Sequence, residues 1–87
     1  MSEQYQENDL VTYPCRWLYK VITVDPERDG RRIGLLFQDC RCEISPSHRS
    51  SSGRYTSLNV EIEVVNRLHR DTVYGILRDL ETVKVVL

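Results

Sequence analysis

The stretch from Tyr55 to Val64 constrains this chain more than any other. Thr56, Leu58, Val60, Ile62 and Val64 fall on one parity, and Tyr55, Ser57, Asn59, Glu61 and Glu63 on the other. Successive side chains of a strand point to opposite faces, so this segment reads as a strand with one face on a core and one in water. A chain that holds such a strand must supply neighbours on both sides of it and a layer that covers its apolar face.

The segment Trp17 to Val24, WLYKVITV, supplies a first neighbour. It is rich in aromatic and β-branched residues, which suit a pleated surface. Trp17, Tyr19, Val21 and Thr23 share one side, and Leu18, Lys20, Ile22 and Val24 the other. Both sides are largely apolar, so the strand reads as central, and either side would pack well against a core. The chain closes on TVKVVL, a last strand.

Two helical stripes supply the covering layer. Asp25 and Pro26 suit an N-cap and a first helical position, and Glu27 suits the helix dipole. Ile33, Leu36, Phe37 and Cys40 then follow at i, i+3, i+4 and i+7, with Arg28, Arg31 and Arg32 off that stripe. Gly30 and Gly34 lower the helix propensity and, one turn apart, suit close internal packing. Asn66 is a good cap for a second helix, in which Val73, Ile76, Leu77 and Leu80 repeat the stripe. Between the first helix and the long strand, Cys42 and Ile44 alternate with Arg41, Glu43 and Ser45 in a short polar strand that suits a sheet edge. Residues 45–54, SPSHRSSSGR, read as a flexible Ser-rich loop.

The element order is therefore βαββαβ. Two helices on one face of a four-stranded antiparallel sheet would satisfy every apolar stripe, which is an α+β, ferredoxin-like two-layer sandwich. The chain has 87 residues, enough for one domain and too few for two. Residues 1–13 are polar and aperiodic and read as a flexible N-terminal tail; residues 14–87 read as the single domain.

Three cysteines, an odd number, make no disulfide framework. The N-terminus lacks a basic region followed by an apolar one, so it does not read as a signal peptide. No stretch approaches the roughly 20 apolar residues of a membrane span. The expected setting is the cytoplasm, with Cys15, Cys40 and Cys42 as reduced thiols and no membrane partner. A formal net charge of −1 argues against non-specific binding to nucleic acid, which needs many cations on phosphates.

Three segments resemble the YbeD-like family of small bacterial proteins. The first is Tyr13-Pro14 followed by Tyr19-Lys20-Val21. The second is the run SSSGRYTS at 50–57, with its serine pair, Gly53, Tyr55 and Ser57. The third is Tyr74 with the ending Lys84-Val85-Val86-Leu87. The resemblance spans about residues 13–87. It implies a βαββαβ fold similar to ACT regulatory domains, and by analogy of fold a ligand-sensing or regulatory role. The turn after the first strand, VDPERDG, departs from the Gly-rich loop that ACT domains often use around an amino acid.

Several residues could carry chemistry. Cys40-x-Cys42 with His48, and Cys15, could form a metal cluster, but zinc sites favour paired Cys or His ligands and no second pair exists. A thiol nucleophile needs a partner that lowers its pKa, and nothing places His48 or His69 against a particular Cys. His69 reads as a packed boundary residue. The loop His48-Arg49-Ser50-Ser51-Ser52-Gly53-Arg54, with Tyr55 after it, is the best candidate binding element. Its hydroxyls, exposed N–H groups and two arginines could hold an anion, or it could be a solvated hairpin loop with Gly53 at the turn. The bare side of the sheet is the other candidate. RNA-recognition domains stack bases on aromatics of the third strand, whereas Tyr55 stands here beside Glu61 and Glu63, a poor nucleic-acid surface. If Leu18 and Ile22 face that side, they form an apolar patch ringed by polar groups, as association sites often do.

The chain therefore reads as a non-enzymatic regulatory or interaction module without a cofactor or a bound metal. It would bind a protein partner or a small metabolite, or pair as a homodimer. Nucleic-acid binding through the sheet and a metal- or thiol-dependent enzyme at Cys40 and Cys42 are the rival readings.

Overall fold

The computed structural model describes residues 11–87. Most of the tail expected at residues 1–13 lies outside the described residues. Within them the elements are β1 (Cys15–Thr23), α1 (Pro26–Leu36), β2 (Cys42–Arg49), β3 (Thr56–Val64), α2 (Arg67–Arg78) and β4 (Val83–Val86). The four strands form one antiparallel sheet in the order β2-β3-β1-β4. This is the ferredoxin-like sandwich read from the sequence.

The alternation of β3 sets the sheet's two faces. Val60 pairs with Tyr19, Leu58 with Val21 and Ile62 with Trp17, so their side chains share a face. That face, with Val83 and Val86 of β4, meets Ile33 and Phe37 from the first helical segment and Val73 and Leu77 from α2. The ambiguity of β1 is thereby resolved: Tyr19, Val21 and Thr23 are buried, and Leu18 and Ile22 look the other way. Cys15, Trp17, Cys40, Cys42, Ile44 and Leu80 border the core.

Both helices start where the caps foretold. Asp25 Oδ1 accepts the Arg28 N–H at 3.2 Å, and Asn66 Oδ1 accepts the His69 N–H at 2.7 Å. The stripe of α1 differs from expectation. The helix ends at Leu36, with Phe37 as its C-cap, and Leu36 is 50% exposed. The buried row is Asp29, Ile33 and Phe37, spaced i, i+4, i+8, because α1 packs chiefly over β2 and β3 at one edge of the sheet. Ile76 of α2 is likewise outside the buried row of Val73 and Leu77. Neither glycine of α1 is needed for a close approach: a methyl group at Gly30 would meet nothing, and one at Gly34 would only touch Ile44.

Alongside the buried hydroxyl residues Thr23 and Thr56, Asp29 is the buried carboxylate, only 2% exposed. Its Oδ2 accepts hydrogen bonds from the Thr23 hydroxyl and, at 2.7 Å, from the Thr82 hydroxyl. Thr23 Oγ1 in turn accepts the Asp25 N–H at 2.9 Å. The carboxylate thus ties the first turn of α1 to the end of β1 and the start of β4, and it satisfies the hydroxyls that burial would otherwise strand.

Candidate functional site

The face of the sheet away from the helices is built by register. Antiparallel pairing sets Arg16 opposite Glu63, Leu18 opposite Glu61, Lys20 opposite Asn59 and Ile22 opposite Ser57. Beyond β1, Ile22 pairs with Val85 of β4; beyond β3, Glu61 pairs with Glu43 and Asn59 with Ser45 of β2. Leu18 is 48% exposed and Val85 43%. Among the described residues both helices lie on the other side.

Charge is not spread evenly over this face. One Arg16 nitrogen, Nη2, reaches Glu43 Oε1 and Glu61 Oε1, both at 3.2 Å, and Arg41 reaches Glu63 at 3.4 Å. Lys20 Nζ instead meets neutral oxygens, Ser47 Oγ at 2.9 Å and Asn59 Oδ1 at 3.0 Å. An open concavity of about 460 Å³ runs between Leu18, Glu43, Ser45, Asn59 and Glu61. A smaller recess of about 140 Å³ opens at the hairpin end, lined by Ile22, His48, Ser50, Tyr55, Thr56 and Ser57.

The Ser-rich stretch is shorter as a loop than its composition suggests. β2 runs on to Arg49, across an irregularity between Pro46 and His48. Proline is tolerated there because β2 is an edge strand, where its missing N–H removes no needed ladder bond. The connection that remains closes on itself. The Ser50 N–H donates to the Tyr55 carbonyl at 2.8 Å and the Gly53 N–H to the Ser50 carbonyl at 2.9 Å. Ser52 Oγ accepts the Arg54 N–H at 3.2 Å, and Ser50 Oγ the Tyr55 N–H at 3.1 Å. Gly53 has φ 77°, the left-handed region that a side chain would strain.

These bonds sort the sequence candidates. His48 and Tyr55 line the recess, and the Arg54 guanidinium stands 5.9 Å from the Tyr55 ring centroid. Arg49, Ser51, Ser52 and Gly53 are exposed but line neither hollow. The larger concavity lies on the bare side of the sheet that sequence reading offered as the second candidate; the contribution of Glu43 and Ser45 from β2 was not foreseen.

The thiols sit on the helix side of the sheet. Cys15, Cys40 and Cys42 are free and half-buried against the core. Burial, with the neighbouring Cys40, pushes the Cys42 thiol up from its ordinary pKa, which opposes formation of the nucleophilic thiolate. His69 is engaged elsewhere: its Nδ1 accepts the Val65 N–H at 3.1 Å. Among the described residues no group of three or more His, Cys, Asp or Glu could hold a metal ion. No helix among them is long and apolar enough to cross a membrane.

A second cluster joins the chain's start to α2. Arg70 stacks on Trp17, 4.4 Å from the ring centroid, and donates from Nη1 to the Tyr13 hydroxyl at 3.2 Å. The Tyr19 hydroxyl donates to the Arg70 carbonyl at 2.7 Å, and burial pushes its pKa up to about 12. These contacts brace the fold on its helix side.

Comparison with known proteins agrees with this architecture. The family described as "Protein of unknown function (DUF493)" matches residues 8–87. A UPF0250 protein of Neisseria gonorrhoeae is 33% identical, with the whole of both chains covered. A UPF0250 protein of Idiomarina loihiensis is 32% identical over 92% of this chain and 93% of its own. The solution structure of protein HP0495 from Helicobacter pylori has a TM-score of 0.78 at 24% identity, covering 88% of this chain and 85% of that one, and shares the fold.

Proposed function

This chain belongs to the DUF493 family, the UPF0250 proteins whose motifs its sequence resembles, and on that premise we propose that it is a small non-catalytic interaction module that docks a protein partner on the open face of its sheet. The observation that carries this reading is the outward set of β1. Leu18 and Ile22, with Val85 beside Ile22, are apolar side chains outside the core with Lys20 between them, and the neighbouring Glu43 and Glu61 are already paired to Arg16. Exposed apolar side chains set among polar ones on one face are the composition of an association surface. Small-molecule sites enclose most of their ligand, whereas both hollows here are open. The three carboxylates of Glu43, Glu61 and Glu63 make the face a poor match for a polyanion.

Affinity capture from native extract, with mass spectrometry of what is retained, tests the reading. One protein should be held by the native chain and by Leu35→Glu on the helix side, and lost from Leu18→Glu and Ile22→Glu. Retention of nothing, or loss caused by Leu35→Glu alone, would overturn it. Light scattering covers the case of a second copy: a dimer that Leu18→Glu dissolves would make the partner this chain itself.

A further inference from the structure

Resting on that reading, we infer that the hairpin end of the open face receives an acidic segment of the partner in which a carboxylate neighbours an apolar anchor. Charge distribution is the first support. At the Arg16 end, the carboxylates of Glu43, Glu61 and Glu63 each have a guanidinium partner. At the hairpin end the imbalance is reversed. Lys20 bonds only neutral oxygens, Arg54 faces only the Tyr55 ring, and no carboxylate lines the recess. Among the described residues neither Lys20 nor Arg54 has an ion-pair partner.

The chemistry of the rim is the second support. An ammonium and a guanidinium offer donors and no acceptor, and the Tyr55 hydroxyl and the His48 ring can add further donors. A carboxylate is the complementary group, an acceptor with charge, and charge-assisted bonds are the strong ones. Beside these donors, the recess offers Ile22 and the face of Tyr55, a lining for one aliphatic side chain.

Spacing is the third support. Lys20 and Ile22 are alternate residues of one strand face, so they stand about 7 Å apart at the ordinary strand rise. Residues i and i+2 of an extended segment have the same separation, which lets one carboxylate meet Lys20 while the next side chain on that face enters the recess. A nucleic-acid strand following the same face would carry its phosphates onto Glu61 and Glu63 and find only Tyr55 to stack on.

Amide shifts of the isotope-labelled full chain test this inference with three probes: a short synthetic peptide repeating Asp-Ser-Leu-Ser, which sets Asp and Leu in turn on one face of an extended chain, its Asn-Ser-Leu-Ser counterpart, and oligouridylate. The acidic peptide should move the amides of Lys20, Ile22, His48, Tyr55 and Ser57. Lys20→Glu and Arg54→Glu, each checked for native folding by circular dichroism, should each weaken it by about tenfold, the equivalent of one charge-assisted contact. No shifts with the acidic peptide, equal binding of the neutral peptide, or tighter binding of oligouridylate would each overturn the inference. Failure of the docking reading looks different. Partner capture that depends on Leu18 and ignores Lys20→Glu and Arg54→Glu defeats the acidic segment and keeps the docking face; capture indifferent to Leu18→Glu defeats both.

Discussion

The two faces of this sheet are made by the same strands through alternate residues, yet they are held to different standards. On the helix side Val21, Val60, Ile62 and Val64 have no exposed surface, and the polar groups admitted there, Thr23, Asp29 and Thr56, are buried. On the other side Leu18 and Val85 stand in solvent among Arg16, Lys20 and Glu61. Burial of apolar area is the dominant favourable term in folding, and it acts on the first face only. The contrast teaches that burial and exposure are separated by parity along single strands: one residue holds the fold, and the next faces solvent.

The strongest way to break the comparison is to cut the inner face. Ile62→Ala should lower unfolding free energy by about 3 kcal/mol, measured by urea denaturation, because a fully enclosed side chain leaves a cavity. A loss below about 1 kcal/mol would mean that the inner face is loosely packed and the contrast false.

The buried carboxylate on that side comes next. Asp29→Ala deprives the Thr23 and Thr82 hydroxyls of their acceptor and should cost about 2 kcal/mol, read from the same denaturation curves. Asp29→Asn keeps one acceptor oxygen and should recover part of that loss. Equal stability of the alanine variant would show that the carboxylate is not what ties α1 to the strands.

Alkaline pH probes the inner face through Tyr19. Its folded pKa is pushed up to about 12 from 10.0, chiefly by burial, with Arg70 opposing. Between these values the unfolded chain releases the proton and the folded chain keeps it, so stability is intact below pH 10 and falls as pH rises towards 12. Tyr19→Phe should cost about 1 kcal/mol at neutral pH, through its lost bond to the Arg70 carbonyl, and should flatten the decline above pH 10. An unchanged slope in that variant would assign the alkaline loss to other groups.

The outer face should show the smallest effect. Leu18→Ser should leave stability within about 0.5 kcal/mol of the native chain by urea midpoint. A loss as large as that of Ile62→Ala would erase the distinction between the faces.

Much of this was legible beforehand, and the reasons are local. The alternation of Tyr55–Val64, the caps at Asp25 and Asn66 and the stripe residues Ile33, Val73 and Leu77 each follow from backbone geometry that neighbouring residues alone impose. Asp29 was not legible, because an acidic residue in a first helical turn ordinarily serves the dipole from the surface. Its partners Thr23 and Thr82 lie on other elements. Leu36 and Ile76 read as core because a helical stripe gives a direction and not a width; the strands beneath each helix decide how many rows are covered. At the hairpin, composition marked residues 45–54 as a loop, and the ladder with β3 drew Ser45 to Arg49 into a strand instead.

The sequence by itself determined the element order, the sandwich and the solvent side of β3, since each depends on periodicities of two and of 3.6 residues. Tertiary structure alone decided which side of β1 is covered. Both parities of WLYKVITV satisfy a core equally, so no local preference distinguishes them. Pairing with β3 does: antiparallel register aligns Tyr19 with Val60 and leaves Leu18 opposite Glu61, and the face fixed by the strongly alternating strand is imposed on the ambiguous one. The exposed apolar residues of β1, and with them the docking face proposed above, are a consequence of that alignment.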